Sequence, residues 1–288
     1  MTTATMNFSI PCEVLGKDPS VFLQPGVGQA WPQEAREVTL HDLKPELENP
    51  EKAQSPMEQL ASRGFAVVKN KSEAMGPLAQ QKEWNEAFLQ EVKKLIKAQL
   101  GAREVVIWNS VTRSSEPKVN TPYDKKPFAQ DEPIEGLQFP DLVRPTASGA
   151  HVDQDALGSR RICKLALGED VFEKYSRVQQ INVWVPLKGP VTAFPLAVCD
   201  GSTFTKERTG YAYGMFASRI NVFYGEEQKW YYVKRQEPDE YLLLKIYDSN
   251  TLPGHAEYTP HTGVDDLHGA DGPETARESI EVRLVACY

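Results

Sequence analysis

Gln180-Ile181-Asn182-Val183-Trp184-Val185-Pro186 alternates polar or aromatic side chains with β-branched ones. An extended chain turns successive side chains to opposite faces, so the run reads as a strand. Ile181, Val183 and Val185 share one face, and Gln180, Asn182 and Trp184 share the other. The second face either lines an internal cavity, where it would touch substrate, or meets solvent. Pro186 closes the run because it has no N–H to give to a ladder.

Similar short runs occur at Val105–Val111, Ala193–Val198, Tyr211–Tyr213, Arg219–Phe223, Lys229–Lys234, Tyr241–Tyr247 and Ser279–Ala286. Pro186, Gly189-Pro190, Gly201 and Gly225 mark gaps between them. Upstream, Ser55 and Pro56 suit the N-cap and first position of a short helix to Ser62, with Glu58 at the capping-box position. Phe65–Val68 follows as a strand. From Leu78 to Leu100 the period becomes helical, with Trp84, Phe88, Val92, Leu95 and Ile96 on one face and Gly101 as the stop. That aromatic stripe reads as packing. A helix followed by about eight strands predicts a mainly β fold with added helices, a jelly-roll or cupin-like double-stranded β-helix. Helices do not alternate with the strands, which disfavours a parallel sheet. Residues 56–288 read as one such domain, and residues 1–55, rich in Pro, Gly and acidic groups, as an extended N-terminal arm.

The chain has 288 residues and a net charge of −8. An acidic surface repels phosphate backbones and anionic membranes, which argues against nucleic acid or membrane as partner. The pairs Lys93-Lys94 and Lys125-Lys126 read as solvated faces. Cys12, Cys163, Cys199 and Cys287 show no CxxC spacing, so they predict free thiols in a reducing compartment. The start of the chain lacks a basic-then-apolar leader, and no apolar run approaches eighteen residues. The expectation is a cytosolic protein acting on a small molecule, with a homodimer left open. GxGxxG, P-loop and GxSxG signatures are absent, so nucleotide binding and serine hydrolysis lack support.

Chemistry concentrates on five histidines, His41, His151, His255, His261 and His268. In His151-Val152-Asp153 an imidazole and a carboxylate two apart on a strand would converge on one point. Iron(II) in oxygenases takes two imidazoles and one carboxylate on one octahedral face, leaving three positions open. HxD supplies two ligands and a distant histidine must supply the third. Tyr258-Thr259-Pro260-His261-Thr262, about a hundred residues on, favours His261. His255 follows the turn Pro253-Gly254, and His268 lies in a Gly-rich stretch. Either remains an alternative, as does Asp155 in place of Asp153. Downstream, Arg277 and Ser279 also share a strand face, and a guanidinium fork beside a hydroxyl suits a carboxylate. Arg283 is the rival for that role. Tyr211, Tyr213 and Phe216 read as either an apolar lid or core.

HxD, a late histidine and RxS together resemble the Fe(II)/2-oxoglutarate-dependent dioxygenases. More narrowly, Arg144-Pro145, Asn182-Val183-Trp184, Pro195 to Asp200, Lys245 to Ser249 and Thr259 to Thr262 resemble the fungal hydroxylase/desaturase family. Five segments in order carry the likeness, from about residue 64 to 288. The resemblance implies iron(II), 2-oxoglutarate and O2 as cofactor and co-substrates. It also implies hydroxylation, desaturation or endoperoxide formation on a secondary metabolite, for example a meroterpenoid. The gap from His261 to Arg277 is longer than is usual in oxygenases, with Val264 to Ala276 resembling a surface loop. Two alternatives stand beside this reading. One is a non-catalytic jelly-roll partner of another biosynthetic enzyme, and the other is a cupin-type metalloenzyme that needs no keto acid.

Overall fold

The computed structural model describes residues 2–17, 31–116, 143–205, 209–213, 218–264, 266–267 and 275–288. Its frame is two facing sheets. The six-stranded sheet has the order β3 (Phe65–Lys69), β12 (Glu240–Asp248), β7 (Val178–Pro186), β15 (Glu278–Cys287), β4 (Glu104–Ser114), β5 (Val143–Pro145). The alternating run quoted above is therefore a central strand. Ile181, Val183 and Val185 pack outward with Ile280, Val282 and Leu284 against Phe88, Val92 and Ile96 of the long helix α4 (Gln81–Leu100). Full burial of each such side chain is worth about 1.5–3 kcal/mol. Trp184 points the other way, into an inter-sheet core with Val198, Leu242, Leu244 and Ile246. Both faces of this strand are buried, so the solvent alternative does not hold.

The nine-stranded sheet runs β14 (Asp266–Leu267), β1 (Thr2–Ser9), β2 (Gln33–Asp42), β11 (Trp230–Tyr232), β8 (Leu196–Cys199), β13 (His261–Gly263), β6 (His151–Val152), β10 (Ser218–Val222), β9 (Thr209–Tyr213). Pairing is antiparallel except for β11 with β2 and β4 with β5. The N-terminal stretch is extended, but it is built into this sheet. Ala4, Met6 and Phe8 share an apolar cluster with Ala197, Cys199, Val222 and Trp230.

The capping box at α3 (Pro56–Ser62) forms as the sequence predicts: Ser55 accepts from Glu58 N, and the Glu58 carboxylate accepts from Ser55 N. Gly101, at φ 68°, ends α4 in the left-handed conformation that glycine adopts without strain. Two expectations need correction. The region after residue 104 is not strands alone, because Ala156–Leu167 forms helix α5, capped by Asp155 accepting from Gly158 N. Its apolar signal is blurred, since Leu157 and Leu165 are exposed while Ile162 and Cys163 are buried. The strand carrying HxD is only two residues long, and Asp153 sits in the bend after it. Among the described residues no helix is long and apolar enough to cross a membrane. All four cysteines are free and buried.

Candidate metal centre

β6 and β13 are neighbours, and their register sets His261 directly opposite His151. Directly opposed residues of an antiparallel pair point to the same side. The ring centroids stand 4.5 Å apart. Asp153 Oδ1 lies 3.4 Å from His151 Nε2. One donor atom from each of His151, Asp153 and His261 falls within 4.8 Å of the other two. The three are brought together although His261 is about a hundred residues away in sequence.

Each imidazole is fixed by its other nitrogen. His151 Nδ1 meets the Gly149 carbonyl at 2.9 Å, and His261 Nδ1 meets the Thr259 carbonyl at 3.0 Å. A carbonyl only accepts, so each Nδ1 carries the proton and each Nε2 presents its lone pair inward. Burial, followed by the charges of Arg219 and His261, pushes His151 down to about 3. The ring is thus neutral at ordinary pH, as a ligand must be. For Asp153, burial is the largest single influence and would raise the carboxyl, but Arg283, the hydrogen bond with His151 and the neighbouring imidazoles together outweigh it and hold the group well below the usual carboxylate range.

Asp153 is oriented through Oδ2, which accepts from Asn182 Nδ2 at 2.7 Å and pairs with Arg283 at 3.1 Å. Oδ1 is left for a metal. Arg283 is shared with Glu281, whose Oε1 accepts from its Nε at 2.7 Å. Burial, a lowering effect, is overcome here by Asp153 and Glu281, so the guanidinium stays firmly charged. The donor set fits iron(II): two imidazoles whose Nδ1 atoms are tied to carbonyls and one carboxylate held by one oxygen, brought together by two adjacent strands.

Arg277 contrasts with Arg283. It is buried, donates to the Phe194 carbonyl at 2.6 Å, and stacks over Trp184 at 5.4 Å. Among the described residues its Nε finds no acceptor, and the hydroxyl of Ser279 finds no partner. Burial, then the charge of Arg113, pushes Arg277 down to about 9, with Glu281 opposing. Phe194 itself sits at φ 50°, a left-handed conformation that costs an L-residue about 1–2 kcal/mol and that here aims its carbonyl at the guanidinium.

The remaining sequence candidates separate. Gln180 Nε2 donates to Gln154 Oε1 at 2.6 Å, so Gln180 and Asn182 line the interior beside the triad while Trp184 lies beneath Arg277. His255 is exposed in a turn, and Asp155 is spent on capping α5. His268, Phe216 and Lys125-Lys126 lie outside the described residues, as do the side chains of Tyr211 and Tyr213. Sequence reasoning missed Glu281, Gln154, Phe194, Arg219 and Asn221 as neighbours of the site. For Glu281 the signal was present, since it stands two before Arg283 on one strand face.

A family model described as an oxidoreductase/YMDC permease-like domain matches residues 15–287. Hydroxylase/desaturase efuI of Hormonema carpetanum is 30% identical over 80% of this chain and 78% of its own length. Alpha-ketoglutarate-dependent dioxygenase tstK of Talaromyces stipitatus is 28% identical over 87% of this chain and 84% of that protein. The solved structure of the iron and alpha-ketoglutarate-dependent endoperoxidase NvfI superposes with a TM-score of 0.71 at 21% identity, covering 99% of this chain and 97% of that one. At that identity the likeness speaks for the fold, which is the jelly roll expected from the strand pattern. With relatives matched along most of their length and a family model spanning all but the chain's ends, this chain belongs to the hydroxylase/desaturase family of Fe(II)/2-oxoglutarate-dependent dioxygenases.

Proposed function

We propose that this enzyme uses iron(II), 2-oxoglutarate and O2 to oxidise a C–H bond of a small secondary metabolite, with His151, Asp153 and His261 as the metal ligands. The observation that carries the assignment is the triad itself, with both Nδ1 atoms tied to carbonyls and Asp153 Oδ2 tied to Asn182 and Arg283. When bound, the metal with its co-substrates supplies an oxidant strong enough to take a hydrogen atom from carbon. Each turnover converts 2-oxoglutarate and O2 to succinate and CO2 and leaves one oxygen atom's oxidising power for hydroxylation or desaturation of the substrate, whereas endoperoxide formation takes up a second O2.

The chain's residues do the rest. His151 and His261 present their Nε2 atoms, while Asn182 and Arg283 keep Asp153 from turning its second oxygen inward. Arg277 and Ser279 hold the far carboxylate of 2-oxoglutarate, because a buried guanidinium and hydroxyl with unmet hydrogen bonds are poised for an anion. Arg283 does not suit that task, being occupied by Asp153 and Glu281. Trp184 and the inter-sheet aliphatic core exclude water from this end. Four buried free thiols support a reducing compartment, the cytosol.

Anaerobic addition of Fe(II) and 2-oxoglutarate is expected to give a weak visible charge-transfer band. Lack of that band, together with no succinate formed in air with candidate substrates, would remove the assignment.

A further inference from the structure

Arg113, Arg219, Arg277 and Arg283 all bear electrostatically on the interior around Asp153 and Glu281. Three of them are accounted for. Arg283 is paired with both carboxylates, Arg113 donates to the Pro145 carbonyl at 2.9 Å, and Arg277 with Ser279 is assigned to the co-substrate. Arg219 is not.

It lies on β10, whose register sets Asn221 opposite His151 and Ile220 opposite Val152. Arg219 is therefore next to the Asp153 position, and residues 219 and 221 share the strand face of His151. Among the described residues both carry a buried donor without an acceptor, Nε in Arg219 and Nδ2 in Asn221. Two unmet donors side by side at a metal centre call for an anionic acceptor. Among the described residues, the four cations face only the carboxylates of Asp153 and Glu281. Bound iron(II) and 2-oxoglutarate cancel each other's charge, so the loaded interior keeps a positive excess. The co-substrate does not fill this place, since its far carboxylate goes to Arg277 and its near one chelates the metal.

We infer that Arg219 and Asn221 form a subsite for a carboxylate of the substrate, which is therefore an organic acid held by that group beside the metal. This rests on the oxygenase reading above and adds the substrate class to it.

The test uses protein loaded with Mn(II) and 2-oxoglutarate, so that no turnover is involved. Cyclohexanecarboxylate and its methyl ester serve as probes, and the readout is saturable paramagnetic broadening of their proton NMR lines. The acid is expected to be broadened and the ester not. Arg219→Met should weaken the acid by about 10–100-fold, the range for loss of a charged hydrogen bond, and Arg219→Lys should retain part of it. Asn221→Asp, which keeps the side-chain shape and adds a negative charge, should abolish it. Equal broadening by acid and ester, or an Arg219→Met variant that binds the acid as wild type does, overturns the subsite. So does an Arg219→Met variant that loses 2-oxoglutarate affinity instead, which would give Arg219 to the co-substrate. If wild type takes up neither Mn(II) nor 2-oxoglutarate, the oxygenase reading falls and the subsite falls with it. Acid binding that fails while both are taken up removes the subsite alone.

Discussion

Replacing Arg283 by Met removes a charge but keeps most of the side-chain volume. In the metal-free protein the change leaves two buried carboxylates, Asp153 and Glu281, without their shared guanidinium. Breaking a buried pair by deleting one partner costs about 3–5 kcal/mol. At about 2–4 °C per kcal/mol for a chain of a few hundred residues, Tm should fall by at least about 6 °C. A divalent ion held by Asp153 restores a positive neighbour, so the deficit should shrink when Mn(II) or Fe(II) is present. The pH response has a definite sign. Asp153's folded pKa is depressed, because Arg283, the largest lowering influence, acts with the His151 hydrogen bond and the neighbouring imidazoles to outweigh burial, so its contribution to stability is present above the unfolded value of about 3.9. It is lost as pH falls through the folded value. Without Arg283, burial raises that folded value, and metal release on acidification should begin at a higher pH than in wild type. Thermal unfolding with EDTA and with metal, across a pH series, reads all three effects. An identical Tm loss with and without metal, and an unchanged acid limit for metal retention, would refute the reasoning that Arg283 neutralises Asp153.

The remaining expectations are more direct. His151→Ala and His261→Ala should abolish succinate release and metal binding while far-UV circular dichroism stays native; activity retained by either variant removes that residue from the ligand set. Arg277→Met should raise the 2-oxoglutarate requirement by about 2–5 kcal/mol of lost charge pairing, a factor of thirty or more in KM, and kinetics at graded 2-oxoglutarate would expose an error if Arg283 proved the sensitive position instead. The same substitution should leave the protein without co-substrate no less stable, because it deletes a buried cation that has no carboxylate partner among the described residues. Ser55→Ala should cost about 1 kcal/mol by opening the capping box, with chemical denaturation shifted and turnover untouched.

The candidate ligand cluster was open to sequence reading because coordination chemistry demands few residue types, and the chain holds only five histidines. His-x-Asp pointed to two members of that cluster, yet for a reason that needs adjustment. The pair converges at the end of a two-residue strand and a bend, not along a continuous extended run. Alternation along residues 180–186 told which side chains share a face, but not what that face meets. That depends on β7 pairing with β12 and β15, segments tens of residues downstream, and such pairings leave no periodic trace. Helix α5 was hidden because two of its leucines are exposed and its start is signalled mainly by Asp155, which competed for attention as a metal ligand.

The two arginines show most clearly where sequence stops and structure takes over. Arg277 and Arg283 lie six residues apart, an even spacing that gives them one strand face, so pattern alone cannot divide their roles. What divides them is the opposite wall. Asp153 reaches Arg283 and not Arg277, and Glu281 takes the same partner. Arg277 is instead supplied with a carbonyl from strained Phe194 and an indole face from Trp184, neither of which cancels its charge. A cation kept buried on those terms is destabilising until an anion arrives. The chain in and just before β15 thus carries one guanidinium paired with two carboxylates, and another buried without such a pair among the described residues. On the proposal that Arg277 holds the far carboxylate of the keto acid, the free energy withheld from folding there is recovered on binding, which would favour a dicarboxylate over a monocarboxylate.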